Sequence, residues 1–148
     1  MESGVQINPY KIRSELLMEA TNYTGVCSPK KAALVWAEGL KLRNAAIQYT
    51  VMTKALKSIY AKQLETSTSQ GNWVTGMSSP WIESYTILSK IKISYFEVKV
   101  IMNFHAATSA GLFDSYKATL SILKEDPFWR ISKIDMDKDL YVYTGFQA

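Results

Sequence analysis

The chain has 148 residues and a formal net charge of +4; 47% of its residues are hydrophobic and 20% are charged. A chain of this size can bury enough apolar surface for one compact domain, and a mean hydropathy of -0.08 excludes an intrinsically disordered chain. No apolar run approaches the roughly 20 residues that span a bilayer, so the sequence as given predicts a soluble protein.

Charge and cysteine content narrow the classes of partner and cofactor. Residues 1–73 carry 9 basic and 5 acidic side chains, whereas residues 74–148 carry 8 of each. The basic residues of the first half form scattered pairs, which is typical of solvated helix faces, and we expect no nucleic-acid partner. The single cysteine, Cys27, has no second Cys or His at ligand spacing, and the sequence contains no glycine-rich phosphate loop. We therefore expect neither a metal site nor a cofactor.

The first two helix signals are capped starts followed by an apolar stripe. The dipeptide Asn8-Pro9 opens a segment that predicts an N-terminal helix over residues 9–23. Ser28 and Pro29 open a second helix in the same way. The predicted apolar faces are Ile12, Leu16, Leu17 and Ala20 in the first helix, and Ala33, Trp36, Ala37 and Leu40 in the second.

Two further helices complete the helical half. A short helix is predicted around residues 45–51, and Thr53 can cap a third long helix that ends near Glu65. The predicted apolar face of this last helix consists of Leu56, Ile59, Tyr60 and Leu64. Gly39, inside the second helix, costs about 1 kcal/mol of helix propensity relative to alanine, which indicates that another group packs close to its backbone.

After Pro80 the apolar pattern changes from helical to alternating, which predicts strands. Short connections, including the turn Glu125-Asp126-Pro127, favour an antiparallel meander of four or five strands. The predicted apolar faces are Tyr85, Ile87, Ile91 and Ile93; Phe96, Val98, Val100, Met102 and Phe104; Tyr116, Ala118, Leu120 and Ile122; and Trp129 with Ile131. Residues 140–146 are interpreted as a last edge strand.

These elements predict an α+β fold, in which N-terminal helices pack on one face of a curved antiparallel sheet and leave a cone between the layers. We interpret residues 1–148 as a single domain. Within it, residues 9–23 form the N-terminal helix, residues 28–136 the core, and residues 137–148 a tail or edge strand.

Four stretches of the sequence resemble the nuclear transport factor 2-like (cystatin-like) superfamily. They are Leu123 to Ile134, with its acidic turn, tryptophan, basic residue and isoleucine; Ser28 to Ala32; Arg43 to Tyr49; and Asn72 to Trp81. The last two are similar to an uncharacterised bacterial group of exported or membrane-tethered proteins. The resemblance implies a cone-shaped fold, an extracytoplasmic parent protein whose tether lies outside this chain, and a homodimer that forms through the exposed sheet face. It brings no catalytic motif.

Two polar residues are candidates for acid–base chemistry. His105 is the only histidine, and its ordinary pKa suits proton transfer, but it shares a strand face with Lys99 and Asn103, as an exposed residue would. Asp114 follows the next loop and could act as a base if buried; a loop carboxylate is the alternative. The alternating Asp135, Asp137 and Asp139 lack the glycine and the terminal glutamate of a calcium loop.

Aromatic residues are the candidates for binding. Trp73 and Trp81 frame a loop that could cover a pocket or contact a partner, or whose indoles could cover the end of the core. Tyr49 and Tyr85 could line a cavity, although aromatic residues at such spacing are usually core residues.

The functional hypothesis is a non-catalytic binding or protein-interaction domain of an exported or membrane-tethered bacterial protein. Its ligand would be a small apolar molecule in the cone or a protein partner. The alternative is a small enzyme of the isomerase, cyclase or dehydratase type that uses His105 or Asp114 in a dry pocket.

Overall fold

The computed structural model describes residues 9–67 and 80–140. Helices come first and strands follow, which confirms the α+β class. The elements are α1 (Pro9–Ala20), α2 (Pro29–Leu42), α3 (Ala45–Tyr49), α4 (Lys54–Ser67), β1 (Trp81–Ser94), β2 (Glu97–Thr108), β3 (Gly111–Glu125) and β4 (Phe128–Met136), with 3-10 turns at Thr21–Tyr23 and Lys138–Leu140. Leu140 therefore ends a 3-10 turn, and the remainder of the predicted edge strand, residues 141–146, lies outside the described residues.

The four described strands form one curved, open sheet in the order β1-β2-β3-β4, with every neighbouring pair antiparallel. This is the predicted meander. The outer edge of β4 is occupied by the chain itself, because Val26 bridges to Trp129 and Met52 bridges to Ile131. These bridges attach the helical half of the chain to the sheet.

The helices start where capping residues predict them to start. The hydroxyl of Ser28 accepts a hydrogen bond from the backbone N–H of Lys31 at 3.1 Å, and Thr53 caps α4 by accepting from Leu56 at 3.2 Å. Both bonds satisfy N–H groups that the first turn of a helix leaves without a partner.

Gly39 has the close neighbour that its position predicts. A Cβ atom built on Gly39 would lie 2.7 Å from Cγ of Gln48 and 3.0 Å from the backbone nitrogen of Gln48. α2 and α3 can therefore approach each other only because this residue has no side chain.

The core lies between the helices and the inner face of the sheet. Its large, fully buried side chains include an edge-to-face pair of rings, Trp36 and Phe104, whose centroids are 5.8 Å apart. The other apolar members of that size are Tyr60, Leu40, Met52, Met102, Leu120, Ile122, Ile131, Ile134 and Leu140. Most of the predicted inward residues of β2 and β3 belong to this core, although Phe96, at the β1–β2 turn, is exposed.

The face predicted for β1 is wrong beyond Ile87. The register pairs Ile87 with Met102 and Ser89 with Ile101, so Leu88 is an additional residue on β1, a β-bulge. A bulge moves the side chains that follow it to the opposite face of the sheet, here as far as the next irregularity of the register, between Lys92 and Ser94.

Because of the bulge, charged and apolar residues of β1 exchange faces of the sheet. Lys90 pairs with the buried Val100, on the helix side of the sheet, while Ile91 pairs with Lys99 on the outer side. Ile91 and Ile93 are exposed instead of buried.

Two predicted helix faces also differ from the structure. Ile12, Leu16 and Leu17 of α1 are exposed. On α4, Ile59 is 51% exposed, and Lys57 takes the buried position instead. The side chain of Leu64 lies outside the described residues.

Candidate functional site

Tyr49, one of the aromatic residues predicted to bind a ligand, lies in the core. Tyr49 is 2% exposed and packs edge to face on Tyr60, with ring centroids 5.2 Å apart. The Tyr60 hydroxyl donates to Oε1 of Gln48 at 2.8 Å, and burial raises the pKa of Tyr60 well above its ordinary value. Tyr49 is therefore a core residue.

Tyr85 and Trp81 lie on β1, and both are partly buried. The Tyr85 hydroxyl donates to Oε1 of Glu38 at 2.6 Å, and burial together with this bond raises the pKa of Tyr85 to about 12. The indole N–H of Trp81 donates to Oε2 of Glu83 at 2.7 Å. Trp73 lies outside the described residues, so the structure does not place the two tryptophans relative to each other.

His105 lies on the sheet face that points away from the helices, because its neighbours Phe104 and Ala106 belong to the core. Its Nδ1 is 3.1 Å from the hydroxyl of Ser115, and its Nε2 is 3.4 Å from the amide nitrogen of Asn103. Both ring nitrogens of His105 therefore have polar side-chain neighbours on the outer face of the sheet.

Asp114 is exposed near the start of β3. Its Oδ1 accepts a hydrogen bond from the backbone N–H of Ser115 at 2.8 Å. The register pairs Asp114 with Ala106, next to the Ser115–His105 pair. The two candidate catalytic residues are thus close in the sheet, but the structure does not place them in a shared cavity.

The structure shows a cavity that the sequence did not predict. It has a volume of about 590 Å³ and lies between α1, the following 3-10 turn, α4 and the end of β3. It is lined by Glu15, Glu19, Asn22, Tyr23, Lys54, Lys57, Ser58, Glu125 and Arg130. We call it the charged cavity.

Lys57 lies at the inner wall of the charged cavity and is 2% exposed. Its ammonium donates to Oδ1 of Asn22 at 2.7 Å. Burial, with a smaller contribution from the charge of Arg130, lowers the pKa of Lys57 to about 8, while the carboxylate of Glu125 opposes this shift.

Arg130 is buried beside the cavity and is fully engaged with the chain. Its Nη1 donates to the carbonyls of Thr21 and Thr50, and its Nη2 to those of Asn22 and Thr24, at distances of 2.7–3.4 Å. Its Nε lies 3.5 Å from Oε1 of Glu125. All five N–H groups of the guanidinium are directed at these oxygens, so Arg130 acts as a clamp between β4 and the turn that follows α1.

The spacing of the residues along α4 indicates that Lys57 is buried. Thr53, Leu56, Lys57 and Tyr60 recur at the intervals of one helix face, and all four are buried. A lysine within an apolar stripe therefore marks a buried cation. The cavity itself has no such signal, because its wall comes from elements far apart in the sequence.

A second surface feature is a group of exposed apolar side chains on β1 and the β1–β2 turn. It consists of Leu88, Ile91, Ile93, Tyr95 and Phe96, each at least 45% exposed. We call it the hairpin patch. The ammonium of Lys92 lies 4.5 Å from the centroid of the Tyr95 ring. On the neighbouring strand β2, Lys99 pairs with Ile91 and Glu97 pairs with Ser94.

Among the described residues, no group of three or more His, Cys, Asp or Glu side chains is arranged to hold a metal ion. Within the same ranges, no helix is both long and apolar enough to cross a membrane. In comparisons with known proteins, no family model and no curated protein matches this sequence.

Proposed function

We propose that this chain is a non-catalytic binding domain of the nuclear transport factor 2-like type, and that it pairs with a second copy of itself through the hairpin patch. The patch carries the proposal, because large apolar side chains exposed side by side and rimmed by polar residues are typical of protein contact sites. The order of elements, helices followed by a curved antiparallel meander, supports the assignment of the fold type.

A second copy is the partner that fits the charges around the patch. Its rim carries both an acid, Glu97, and a base, Lys99. In a two-fold symmetric pair each surface meets its own copy, so an acid and a base on one rim can pair across the axis. A partner with one sign of charge would leave one of the two unmatched.

A binding role is favoured over an enzymatic one by the surroundings of the polar candidates. His105 is on the outer sheet face, and Asp114 is exposed. Neither lies in the kind of desolvated pocket that acid–base catalysis by a lone side chain requires. The interior between the helices and the sheet is occupied by large side chains such as Trp36 and Phe104, so a small apolar ligand in the cone is not part of the proposal.

Light scattering over a range of protein concentrations tests the proposed pairing. We expect a dimer for the wild type and a monomer for Ile91→Lys, because a charge would be buried at the centre of the interface. The matched control is Leu112→Lys, since Leu112 is exposed at the other end of the sheet and lies outside the patch. A wild type that stays monomeric at high micromolar concentration contradicts the proposal.

We also propose that the parent protein is exported or tethered to the membrane, so that this domain lies outside the cytoplasm. This part rests on the sequence resemblance alone. Protease added to spheroplasts of the native bacterium should digest the domain without lysis. Protection until the cells are lysed would contradict this location.

A further inference from the structure

The charged cavity has opposite charges on opposite walls. α1 contributes Glu15 and Glu19, whose spacing of four residues places them on the same side of the helix. α4 contributes Lys54 and Lys57. Its volume of about 590 Å³ lies within the roughly 300–1,000 Å³ of small-molecule sites.

These charges are not neutralised by one another. Within residues 9–67 and 80–140, the one salt bridge that forms between cavity residues joins Glu125 to Arg130. Glu15, Glu19, Lys54 and Lys57 take part in no ion pair with described residues. Charges of both signs that line one cavity without pairing suit a molecule that carries both signs.

Lys57 provides the most specific part of the site. A protonated lysine has three N–H donors, and Lys57 uses one of them on Asn22. The side chain is 2% exposed, so water has little access to the remaining donors. A buried donor without a partner is costly, and a ligand oxygen that accepts from it recovers that cost.

The other groups narrow the ligand class. Arg130 has no free donor, so the anionic end of a ligand would bind Lys57 and Lys54 rather than the guanidinium. The α1 wall supplies the carboxylates of Glu15 and Glu19, which can accept hydrogen bonds from an ammonium group.

We propose that the charged cavity binds a small zwitterion, a free amino acid or short peptide, with its carboxylate on Lys57 and its ammonium group on Glu15 and Glu19 of α1. This site is separate from the hairpin patch and does not depend on pairing of the chain.

Three probes of similar size test the proposal: triglycine, N-acetyl-triglycine and triglycine amide. The first carries both charges, the second only the carboxylate and the third only the ammonium group. In nuclear magnetic resonance titrations we expect triglycine to shift the backbone amides of Asn22, Ser58 and Glu125, with a dissociation constant of about 1 mM or lower. Each derivative should bind about tenfold more weakly, because it loses one charged contact.

Two variants test the assigned residues. Lys57→Met keeps an unbranched side chain, shorter by the terminal ammonium, and removes its charge. Glu19→Gln removes an exposed charge from the α1 wall. Each should weaken triglycine binding about tenfold. The matched controls are Lys62→Met on the exposed side of α4 and Glu83→Gln on β1, neither of which lines the cavity, and both should bind like the wild type.

Three results would overturn the proposal. The first is an absence of amide shifts with triglycine, and the second is equal affinity for triglycine and N-acetyl-triglycine, which would indicate a simple anion site. The third is unchanged binding in Glu19→Gln. Because Glu19 is exposed, that variant is expected to fold and keeps the test decisive even if Lys57→Met does not fold.

Discussion

Lys57 and Arg130 are both buried cations, but their surroundings differ. Arg130 directs every donor at an oxygen of the chain, whereas Lys57 has a single hydrogen bond, to Asn22. A buried charge with incomplete partners is destabilising, and the lowered pKa of Lys57 expresses that cost. At the scale of single residues, one of these cations therefore supports the fold and the other reduces its stability.

The pKa of Lys57 predicts how stability depends on pH. Its folded value of about 8 lies below its ordinary value of 10.5, so between these two values the unfolded chain binds more protons than the folded chain. The free energy of unfolding should therefore rise with pH, by about 2 kcal/mol between about pH 7.5 and about pH 9.5.

Urea denaturation of the wild type and of Lys57→Met measures this contribution, because the difference between them cancels the effects of the other groups. Lys57→Met should lack the rise. The window ends near pH 10, above which Tyr60 and Tyr85, whose pKa values are raised, keep protons that the unfolded chain loses, and stability falls. Parallel pH profiles of the two proteins would contradict the assigned role of Lys57.

At the scale of elements, the arginine clamp joins pieces that are distant in sequence. Arg130 of β4 binds carbonyls of the turn after α1 and of Thr50, which lies between α3 and α4. Each of these carbonyls lies at the end of a short segment, where backbone groups lack helical partners. The clamp supplies those partners and thereby sets the position of α1.

We expect Arg130→Met to lower the free energy of unfolding by about 3–5 kcal/mol, since it leaves several carbonyls and Glu125 without their donor. The matched control is Lys133→Met, an exposed position on the same strand that should change stability by less than about 1 kcal/mol. Urea denaturation compares both with the wild type. Equal decreases in the free energy of unfolding of the two variants would show that the carbonyl contacts of Arg130 contribute little to stability.

The elements differ in how well the sequence predicts them, for local reasons. Ser28 and Thr53 define helix starts because a cap is a contact within one turn. On β3 the predicted inward residues Tyr116, Ala118, Leu120 and Ile122 are all buried, and Ser121 is buried in addition to them. On β1, the bulge at Leu88 breaks the alternation, and nothing in the local sequence marks it.

The candidate site was less predictable than the fold. The charged cavity depends on Arg130 holding the turn after α1 against β4, a contact between residues more than one hundred positions apart. The buried position of Lys57 could be inferred from its spacing with Leu56 and Tyr60, but its partner Asn22 could not. Tertiary contacts of this kind carry no periodic signal.

At the scale of the whole molecule, packing is uneven. α2 buries Trp36 and Leu40 in the core, while Ile12, Leu16 and Leu17 of α1 are exposed. Elements with few buried contacts open at lower free energy than the core.

We therefore expect the amides of α1 to exchange with deuterium roughly one hundred times faster than those of β2 and β3. Exchange followed by mass spectrometry measures this difference in one experiment. Arg130→Met should increase exchange in residues 9–24 further, whereas Lys133→Met should not. Equal protection of α1 and β2 would contradict this distribution of stability.

The two outer strands also bear on how the sheet could extend from one molecule to the next. Fibrous assembly by repeated strand addition needs two open edges, one to receive a neighbour and one to offer. On β4 the chain's own bridges at Trp129 and Ile131 already occupy the first part of one edge. The blocked part of β4 therefore disfavours repeated strand addition, while the exposed isoleucines of the bulged strand remain available for contact.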